Sequence, residues 1–504
     1  MTARPASITI LGGGTAGWMA ACLLHHAWGN QGTKIRLIES SQVGIIGVGE
    51  GSTPQLKAFF DRIGIDEAEW MPRCNATYKV GIGFEGWSER AGFERYFHPF
   101  PTALDGHSAP QFFRAARQRR HGFQVEAHPD AFLFPGLLAE RRLAPLNPPN
   151  FPFEITYGYH FDAHLVGQFL KGVAVDRGVE WVDRLIQGVE VDAEGKVSAL
   201  VGEDGERFES DFYIDASGFR AMIIEEALGG RYRSFGDNLF NDRAVVLPTP
   251  VADDGPECAT RAIAMKSGWR WSIPLTHRTG NGYVYSSRYC DPDDAEKELR
   301  TALGVGDEVE ARHLRMRCGR VEDSWQSNCL AIGLSQGFLE PLEATALHIV
   351  LATVEGFIAS VDQGGLTNET RRSFNADIAA RYEGIRDYIV AHYRTQLRRD
   401  TDYWRDNAAQ ENLSPSLKRI ITCWFTRADL LREIEEQGIA RYYNAVSWHC
   451  LLAGYGNFPP DGQLKPAGPE INVADMGRIA AFLDGCASNF PGHADALARL
   501  TEGA

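Results

Sequence analysis

The amino-acid sequence predicts an α/β protein with an added layer of antiparallel sheet and a mainly helical C-terminal part. An apolar strand at residues 8–11 runs directly into a glycine-rich turn and a helix. Apolar strands that end in glycine turns return at 212–218 and 330–335, which indicates one α/β module assembled from separated parts of the chain. Residues 259–289 alternate as antiparallel strands do, and helical patterns dominate from about residue 368 onward.

The N-terminal strand, turn and helix carry a nucleotide-binding pattern. Gly12, Gly14 and Gly17 fit G-x-G-x-x-G, and a helix is predicted over 18–27. A second apolar strand then ends at Glu39. The glycines permit a tight turn and close approach of a pyrophosphate, the helix N-terminus offers N–H groups to that anion, and the acid accepts hydrogen bonds from ribose hydroxyls. Glycine turns also simply join strands to helices, but the correctly placed acid favours a dinucleotide site.

Charge and composition exclude several classes of function. With 51 Lys and Arg against 66 Asp and Glu, the formal net charge is −15, so nucleic acid and anionic membranes are unfavourable partners. No apolar stretch approaches the roughly 20 residues that span a bilayer, and the N-terminus leaves no room for the apolar core of a signal peptide. Nine cysteines without a C-x-x-C pair are typical of reduced thiols, so we expect a cytoplasmic protein without a zinc site.

We expect the 504 residues to form two parts. Residues 1–367 form a body that contains the discontinuous cofactor module and the inserted antiparallel sheet, and 368–504 form a helical part that covers the substrate. The segment 44–54 is too rich in glycine for helix or strand, and it either lies along an extended cofactor or forms a flexible surface turn. A strand is predicted at 77–87 with Lys79 among apolar neighbours. Taken alone, such a lysine is usually solvated, because lysine is almost never fully buried without a partner.

Four motifs follow one another along the chain. They are GGGTAGW at 12–18, Lys79, W-x-W-x-I-P at 269–274 and FLEPLEATA at 338–346. Two tryptophans in a strand are, by themselves, more typical of core packing. Together the four motifs resemble the flavin-dependent tryptophan halogenase family over nearly the whole chain. The resemblance implies an FAD-binding, Rossmann-like flavoprotein body of the GR2 type.

The resemblance also implies a reaction. FAD enters as FADH2 that diffuses from a separate flavin reductase, and with oxygen and a halide, bromide or chloride, it gives hypohalous acid. The acid passes through a tunnel to Lys79, which either hydrogen-bonds it or becomes a haloamine, and an indole-like aromatic ring is halogenated. Glu343 accepts the ring proton or polarises the halogen. The alternative is an ion pair of these two side chains without chemistry, which would keep both groups charged.

Halide binding is implied at Thr345 and Ala346, near the N-terminus of the helix that follows Pro341. The family pattern F-x-x-P-x-x-S-x-G begins here at Phe338. Its serine and glycine are both replaced by alanine, at Ala344 and at Ala346, so the halide geometry departs from the pattern. Binding through backbone N–H groups survives if Ala346 has a negative φ.

The resemblance carries further residues onto this chain. The implied cofactor-binding residues are Gly12, Gly14, Thr15, Ala16, Gly17, Glu39, Gly47, Val48, Gly49, Val189, Ser217, Gly333, Leu334 and Leu347. The implied barrier between flavin and substrate consists of Trp269, Trp271, Ile273 and Pro274. The implied substrate contacts are His98, Phe100 and Trp448.

The substrate pocket departs from the tryptophan-specific members. These carry a Tyr-Tyr pair where this chain has Trp448-His449, so a polar grip on an amino acid is not evident. We therefore expect an indole-like aromatic ring as the acceptor instead of free tryptophan.

Two other functions stay open from the sequence: a flavin-dependent aromatic monooxygenase, whose product would form without halide, and a non-catalytic flavin-binding protein. His25, His26 and His160 have no metal-like spacing with acids or cysteines, so we interpret them as packing or surface residues and expect no metal. The oligomeric state is open as well, with a dimer as one alternative.

Overall fold

The computed structural model describes residues 4–44 and 49–502. The chain groups into two compact units, each made of three separated segments. The first unit comprises Met1–Ala76, Phe161–Gly236 and Arg317–Glu383; the second comprises Thr77–His160, Asp237–Met316 and Gly384–Ala504. These boundaries differ from the predicted parts 1–367 and 368–504. Contacts between residues far apart in sequence decide the grouping, and local patterns do not contain them.

The strands among the described residues are, in chain order, β1 Ser7–Leu11, β2 Lys34–Glu39, β3 Gly49–Gly51, β4 Thr77–Lys79, β5 Gly81–Glu85, β6 Arg95–Pro99, β7 Phe123–Gln124, β8 Gly158–Asp162, β9 Glu180–Asp183, β10 Ile186–Val191, β11 Val197–Gly202, β12 Arg207–Phe208, β13 Phe212–Asp215, β14 Tyr232–Ser234, β15 Arg243–Thr249, β16 Thr260–Met265, β17 Gly268–Pro274, β18 Thr279–Tyr285, β19 Arg312–Arg315, β20 Gly319–Val321, β21 Trp325–Gln326, β22 Cys329–Ala331, β23 Gly337–Phe338 and β24 Lys465–Pro466.

The α-helices among the same residues are α1 Thr15–Trp28, α2 Gln55–Ile63, α3 Glu67–Trp70, α4 Ala109–Arg120, α5 Phe134–Glu140, α6 Ala163–Asp176, α7 Pro292–Leu303, α8 Ala346–Gly364, α9 Asn368–Thr395, α10 Asp402–Ala409, α11 Pro415–Phe425, α12 Leu430–Gln437, α13 Ala445–Gly454, α14 Met476–Ala487 and α15 His493–Glu502. Short 3-10 turns and one π-helical segment, Met222–Ala227, connect some of these elements.

The first unit is built on a six-stranded sheet with the order β21-β22-β13-β1-β2-β9. Five of these strands are parallel, and only β21 runs antiparallel to its neighbour β22. Their carboxyl ends therefore lie along one edge, which is where parallel sheets bind ligands. Smaller sheets, β10-β11-β12 and β14-β20-β23, complete this unit. The interrupted α/β module that the sequence predicts is thus present.

The second unit contains a seven-stranded sheet with the order β19-β15-β18-β17-β16-β5-β6. All neighbouring pairs are antiparallel except β16 and β5. The alternation predicted over 259–289 forms β16, β17 and β18 at its centre. The helices α10 to α15 belong to this unit as well.

Two local predictions require correction. Gly49–Gly51 forms the short strand β3, although the segment 44–54 was expected to contain neither helix nor strand. Glycine lowers strand propensity without forbidding an extended backbone. The single strand expected over 77–87 is divided into β4 and β5, which are separated at Val80.

Helix α8 also differs from the expectation that no apolar stretch approaches membrane-spanning length. It has 19 residues, and among the described residues it alone is long and apolar enough to cross a membrane by length and composition. A core helix can have the same length and composition. Within the first unit α8 packs against α1 and α2, and its side chains Val354, Phe357 and Val361 are buried.

Asp215, at the end of β13, is a buried carboxylate whose acceptors are fully used. It accepts N–H bonds from Ile223 and Ile224, both at 2.8 Å, and both an N–H and an O–H bond from Ser217. We expect Asp215→Asn to lower the free energy of unfolding by about 2–3 kcal/mol, because an amide NH2 would face N–H donors in a buried site. Urea unfolding measures this loss. Asp211→Asn is the control, since the exposed Asp211 carboxylate accepts one N–H from Ser7 at 2.9 Å. Equal losses in both variants would contradict the assignment.

Candidate functional site

The glycine turn after β1 lies at the carboxyl edge of the parallel sheet. Gly12 has a φ of +116°, and a Cβ there would lie 2.2 Å from the carbonyl oxygen of Ala216, in the turn after β13. Only glycine fits at this position, because a side chain would be strained and would collide with backbone. A Cβ at Gly17 would lie 1.9 Å from the oxygen of Gly12, so the helix packs closely on the turn.

Gly14 faces open space, in contrast to the crowded Gly12 and Gly17. It is the N-cap residue of α1 with φ −70°, no side chain caps this helix, and a Cβ there would meet nothing within 4 Å. The first N–H groups of α1 thus face open space beside a glycine. This is the arrangement that a pyrophosphate requires, with room for close approach and N–H donors at a helix N-terminus.

Glu39 ends β2 beside the same turn, and two residues hold its carboxylate. Its Oε1 accepts hydrogen bonds from the Lys171 ammonium at 2.8 Å and the Trp181 indole N–H at 2.9 Å. The Lys171 ammonium also lies 3.5 Å from the centroid of the Trp181 ring. The other oxygen of Glu39, Oε2, lies 1.6 Å from the position that a Cβ on Gly13 would occupy. Glu39 is therefore fixed in orientation against the glycine turn, which fits the role of a ribose-binding acid that the sequence predicts.

Two further predicted cofactor residues also meet at this edge. A Cβ at Gly333, which has φ +59°, would lie 3.0 Å from the Cβ of Ala16. Ser335 donates to the carbonyl of Gly218, and this bond joins the turns after β22 and β13.

Three of the predicted cofactor residues use their side chains for hydrogen bonds or packing within the protein. Thr15 donates to the carbonyl of Ala163, Ser217 donates to Asp215, and Val189 packs against the core of the first unit. Gly47 and Val48 lie outside the described residues.

The predicted halide loop, residues 344–346, lies at the N-terminus of α8. A 3-10 turn, Pro341–Glu343, precedes Ala344, which has the left-handed φ of +53°. Thr345 is the N-cap residue and makes no side-chain cap, and its buried hydroxyl has no hydrogen-bond partner among the described residues. Ala346 begins the helix, so its φ is negative, as N–H binding requires. An uncapped terminus of a 19-residue helix beside an unsatisfied hydroxyl suits an anion.

Lys79, in the second unit, is completely buried at the end of β4. Its register partner on β8 is Gly158, which has no side chain to crowd the amine. The Lys79 ammonium lies 5.4 Å from the centroid of the Phe100 ring, and the N–H of Phe100 bonds to the carbonyl of Val80 at 2.9 Å. The expectation of a solvated strand lysine does not apply here, because tertiary packing encloses the side chain.

The tryptophan motif forms β17. Trp269 and Trp271 are two residues apart and share one face, with ring centroids 6.2 Å apart. Gly282 of β18 lies directly opposite Trp271, and a Cβ there would lie 2.1 Å from the Trp271 ring. The motif therefore needs this glycine on the neighbouring strand, since any side chain would displace the indole. Ile273 and Pro274 are buried as well.

Two of the predicted substrate residues belong to a buried aromatic group in the second unit. The ring of Tyr388 is stacked on Tyr443 with centroids 3.6 Å apart, and it meets the edge of Trp448 at 4.8 Å. The Tyr388 hydroxyl lies 3.4 Å from Nδ1 of His98. The indole N–H of Trp448 is buried without a hydrogen-bond partner among the described residues.

Sequence reasoning missed several residues of this arrangement. Lys171 and Trp181 gave no motif signal, because their role depends on where α6 and β9 lie. Gly282 had a usable signal, since a glycine inside a strand pattern often marks close approach of another group. His160, interpreted as a packing or surface residue, is completely buried and hydrogen-bonded through both ring nitrogens.

Comparisons with known proteins agree over almost the full length. A family described as tryptophan halogenase matches residues 7–466. The 7-chloro-L-tryptophan 6-halogenase of Kutzneria sp. (strain 744) is 36% identical over 98% of this chain and 99% of its own length. The tryptophan 7-halogenase of Lentzea aerocolonigenes is 34% identical over 96% of this chain and 94% of its own.

Solved structures show the same similarity. A flavin-dependent halogenase from Brevundimonas sp. BAL3 superimposes with a TM-score of 0.85 at 31% identity, and the match covers 99% of both chains.

Substitutions at Gly14 and Gly12 test together whether the cofactor binds at the glycine turn after β1. We expect Gly14→Ala to leave the melting temperature of the FAD-free protein unchanged and to raise the Kd for FAD about tenfold, a loss of ~1.4 kcal/mol, because the added methyl occupies the open space at the turn. Gly12→Ala is expected to destabilise the protein itself. Flavin fluorescence titration and thermal melts measure both effects. Unchanged FAD affinity in Gly14→Ala would place the pyrophosphate elsewhere.

Proposed function

This chain belongs to the tryptophan halogenase family and is a flavin-dependent halogenase, and from this premise we propose that it uses FADH2, oxygen and bromide or chloride to halogenate an indole-like aromatic ring. The observation that carries the proposal is Lys79, a lysine with none of its surface exposed, on a strand that is hydrogen-bonded to the end of the tryptophan motif. Complete burial is unusual for a lysine, because desolvation opposes its charge, and it suits an amine that acts on a reagent away from bulk water.

The first unit fits FAD. Open space at Gly14, the N–H groups of α1 and the fixed carboxylate of Glu39 match a pyrophosphate and a ribose. When bound as FADH2, the flavin supplies the reducing equivalents that activate oxygen so that halide is oxidised to hypohalous acid. We assign its supply to a separate flavin reductase, from which FADH2 diffuses.

Halide binding is assigned to the N-terminus of α8. The N–H groups of Ala346 and the following residues have no intrahelical acceptors, and the hydroxyl of Thr345 supplies one more donor. The serine and glycine of the family pattern are absent here, but neither side chain is needed for binding through backbone N–H groups. The anion therefore keeps its main donors.

Lys79 presents the electrophile. The Lys79 ammonium faces the Phe100 ring, which offsets part of the cost of its burial, and the amine presents hypohalous acid either by hydrogen bonding or as a haloamine. In the transfer, the bond between halogen and oxygen breaks, a carbon–halogen bond forms on the ring, and the released hydroxide takes up a proton as water. Loss of the ring proton then restores aromaticity.

Glu343 is assigned as the acceptor of that ring proton. It ends the 3-10 turn before α8 and is buried, which removes competing water from its carboxylate. The substrate residues proposed in the second unit are His98, Phe100 and Trp448. Because Trp448-His449 replaces the Tyr-Tyr pair of tryptophan-specific members, we propose an indole-like ring without an amino-acid backbone as the acceptor.

The proposal is tested with the purified protein, a flavin reductase with its nicotinamide, FAD, oxygen, indole, and either bromide or chloride, with product identified by mass spectrometry. Halogenated indole is expected in the presence of halide. Oxygenated product without halide would indicate a monooxygenase, and no turnover across a panel of indoles would indicate a non-catalytic flavin-binding protein.

We expect Lys79→Met to reduce halogenated product at least about a hundredfold, since proximity and orientation at the amine are lost, while FAD affinity is unchanged. Methionine fills a similar volume, so folding is preserved. Product analysis and flavin titration measure the two quantities. Glu343→Gln is expected to lower product formation less severely, by about ten- to hundredfold, as for loss of a general base. Full activity of Lys79→Met would refute the assigned role.

The two alanines of the halide loop have opposite expected effects when changed to glycine. Ala344→Gly is expected to stabilise the protein by about 1 kcal/mol, because a left-handed φ costs alanine about that much. Ala346→Gly is expected to destabilise it by up to about 1 kcal/mol, because glycine is unfavourable in a helix. Chemical denaturation measures both. Destabilisation by Ala344→Gly would show that the left-handed conformation carries no strain.

A further inference from the structure

The strand that bears Lys79 is tied to the tryptophan strand by a chain of buried hydrogen bonds. Thr77 Oγ1 lies 2.8 Å from the carbonyl oxygen of Pro274 and 3.0 Å from Nδ1 of His160. Nε2 of His160 lies 2.9 Å from Oγ1 of Thr260, the first residue of β16. Thr77, His160 and Thr260 are all buried, so water does not compete for these bonds.

The direction of each bond follows from the donors that are available. Pro274 offers only a carbonyl, so the hydroxyl proton of Thr77 goes to it. The Thr77 oxygen therefore accepts from His160, which places the imidazole proton on Nδ1. Nε2 is then an acceptor and receives the hydroxyl proton of Thr260. All three bonds are satisfied by one tautomer of a neutral imidazole.

His160 is held in this neutral form. Complete burial is the main cause, followed by the charges of Lys79 and His493, and together these place the pKa of His160 well below its usual value. An imidazolium would carry protons on both nitrogens and would break the bond from Thr260. Neutral His160 thus matches the bonding pattern.

The strand geometry connects this series of hydrogen bonds to the amine of Lys79. Thr77 and Lys79 are two residues apart on β4, so their side chains share one face of the strand. Thr77 lies directly opposite His160 on β8 in the antiparallel register. The next residues are anchored as well, since the N–H of Val80 bonds to the carbonyl of Cys258 at 2.8 Å.

We propose that His160 is a positioning residue for Lys79: through Thr77 it fixes this face of β4 against the carbonyl of Pro274, and so sets the place of the amine relative to the tryptophan strand. The inference rests on the proposed function of Lys79. It assigns no bond-making role to His160, which acts through its neighbours.

The test compares isosteric and conservative variants in the complete enzyme with its reductase. Thr77→Val removes both bonds of the hydroxyl and keeps the side-chain volume, whereas Thr77→Ser keeps the hydroxyl. Thr33→Val is the matched control, because the buried hydroxyl of Thr33 also donates to a proline carbonyl, that of Pro5, at 3.0 Å in the first unit. Halogenated indole, escaped oxidant trapped by monochlorodimedone, FAD affinity and melting temperature are measured.

A positioning role predicts a shift in how the oxidant is used. Thr77→Val is expected to lower halogenated indole by roughly ten- to hundredfold, the effect of misplacing a reacting group, while trapped oxidant rises and FAD affinity stays unchanged. Thr77→Ser is expected to recover most of the product. Thr260→Val, which leaves Nε2 without a donor, should shift the balance in the same direction and serves if Thr77→Val fails to fold.

Three results would overturn the inference. In the first, Thr77→Val and Thr260→Val give product within twofold of the wild type while Lys79→Met is inactive. This result would refute the positioning role of the hydrogen bonds and leave the proposed function of Lys79 intact. A parallel fall of product and trapped oxidant, matched by Thr33→Val, would show general destabilisation. Full product from Lys79→Met would instead refute the proposed function, and the inference would fall with it.

Discussion

The first unit depends on the close approach of two backbone turns at the carboxyl edge of its parallel sheet. The oxygen of Ala216 occupies the space in which a side chain at position 12 would stand. This contact lets the turn after β1 remain tight, and the tight turn aims the N-terminus of α1 into open space at Gly14. A cofactor diphosphate needs both features, an unobstructed approach and N–H groups already oriented. Under the proposed function, the fixed carboxylate of Glu39 is the second point of attachment.

The second unit is organised around a buried amine. Burying lysine is costly, and tertiary neighbours such as the face of the Phe100 ring offset part of that cost. A glycine opposite on β8 leaves room for the side chain, and the N–H of Val80 anchors the strand beside it. The tryptophan strand shows the same dependence, since Trp271 occupies the space that a side chain on β18 would fill. Both motifs need particular small or neutral neighbours, which short sequence patterns do not include.

The proposed halide site does not depend on the serine and glycine in which this chain departs from the family pattern. The anion donors proposed there are backbone N–H groups at the start of α8, whose directions are set by the helix and not by side chains. Ala346 lies within the helix and keeps this geometry. Ala344 adopts a left-handed backbone that alanine accepts at some cost, and strain of this kind is common at functional loops.

The sequence by itself determined the α/β class, the glycine turn with its acid, the antiparallel strands around the tryptophan motif and the family. Each of these has a local signature in apolar periodicity or fixed spacing. Only the tertiary structure decided the grouping of the C-terminal helices, the burial of Lys79, the residues that hold Glu39 and the bonds of His160. The reason is physical: these depend on partners tens to hundreds of residues away, and a buried and an exposed lysine or histidine look the same in sequence. Whether such a side chain is buried, and which groups surround it, depends on packing against residues that are distant in sequence.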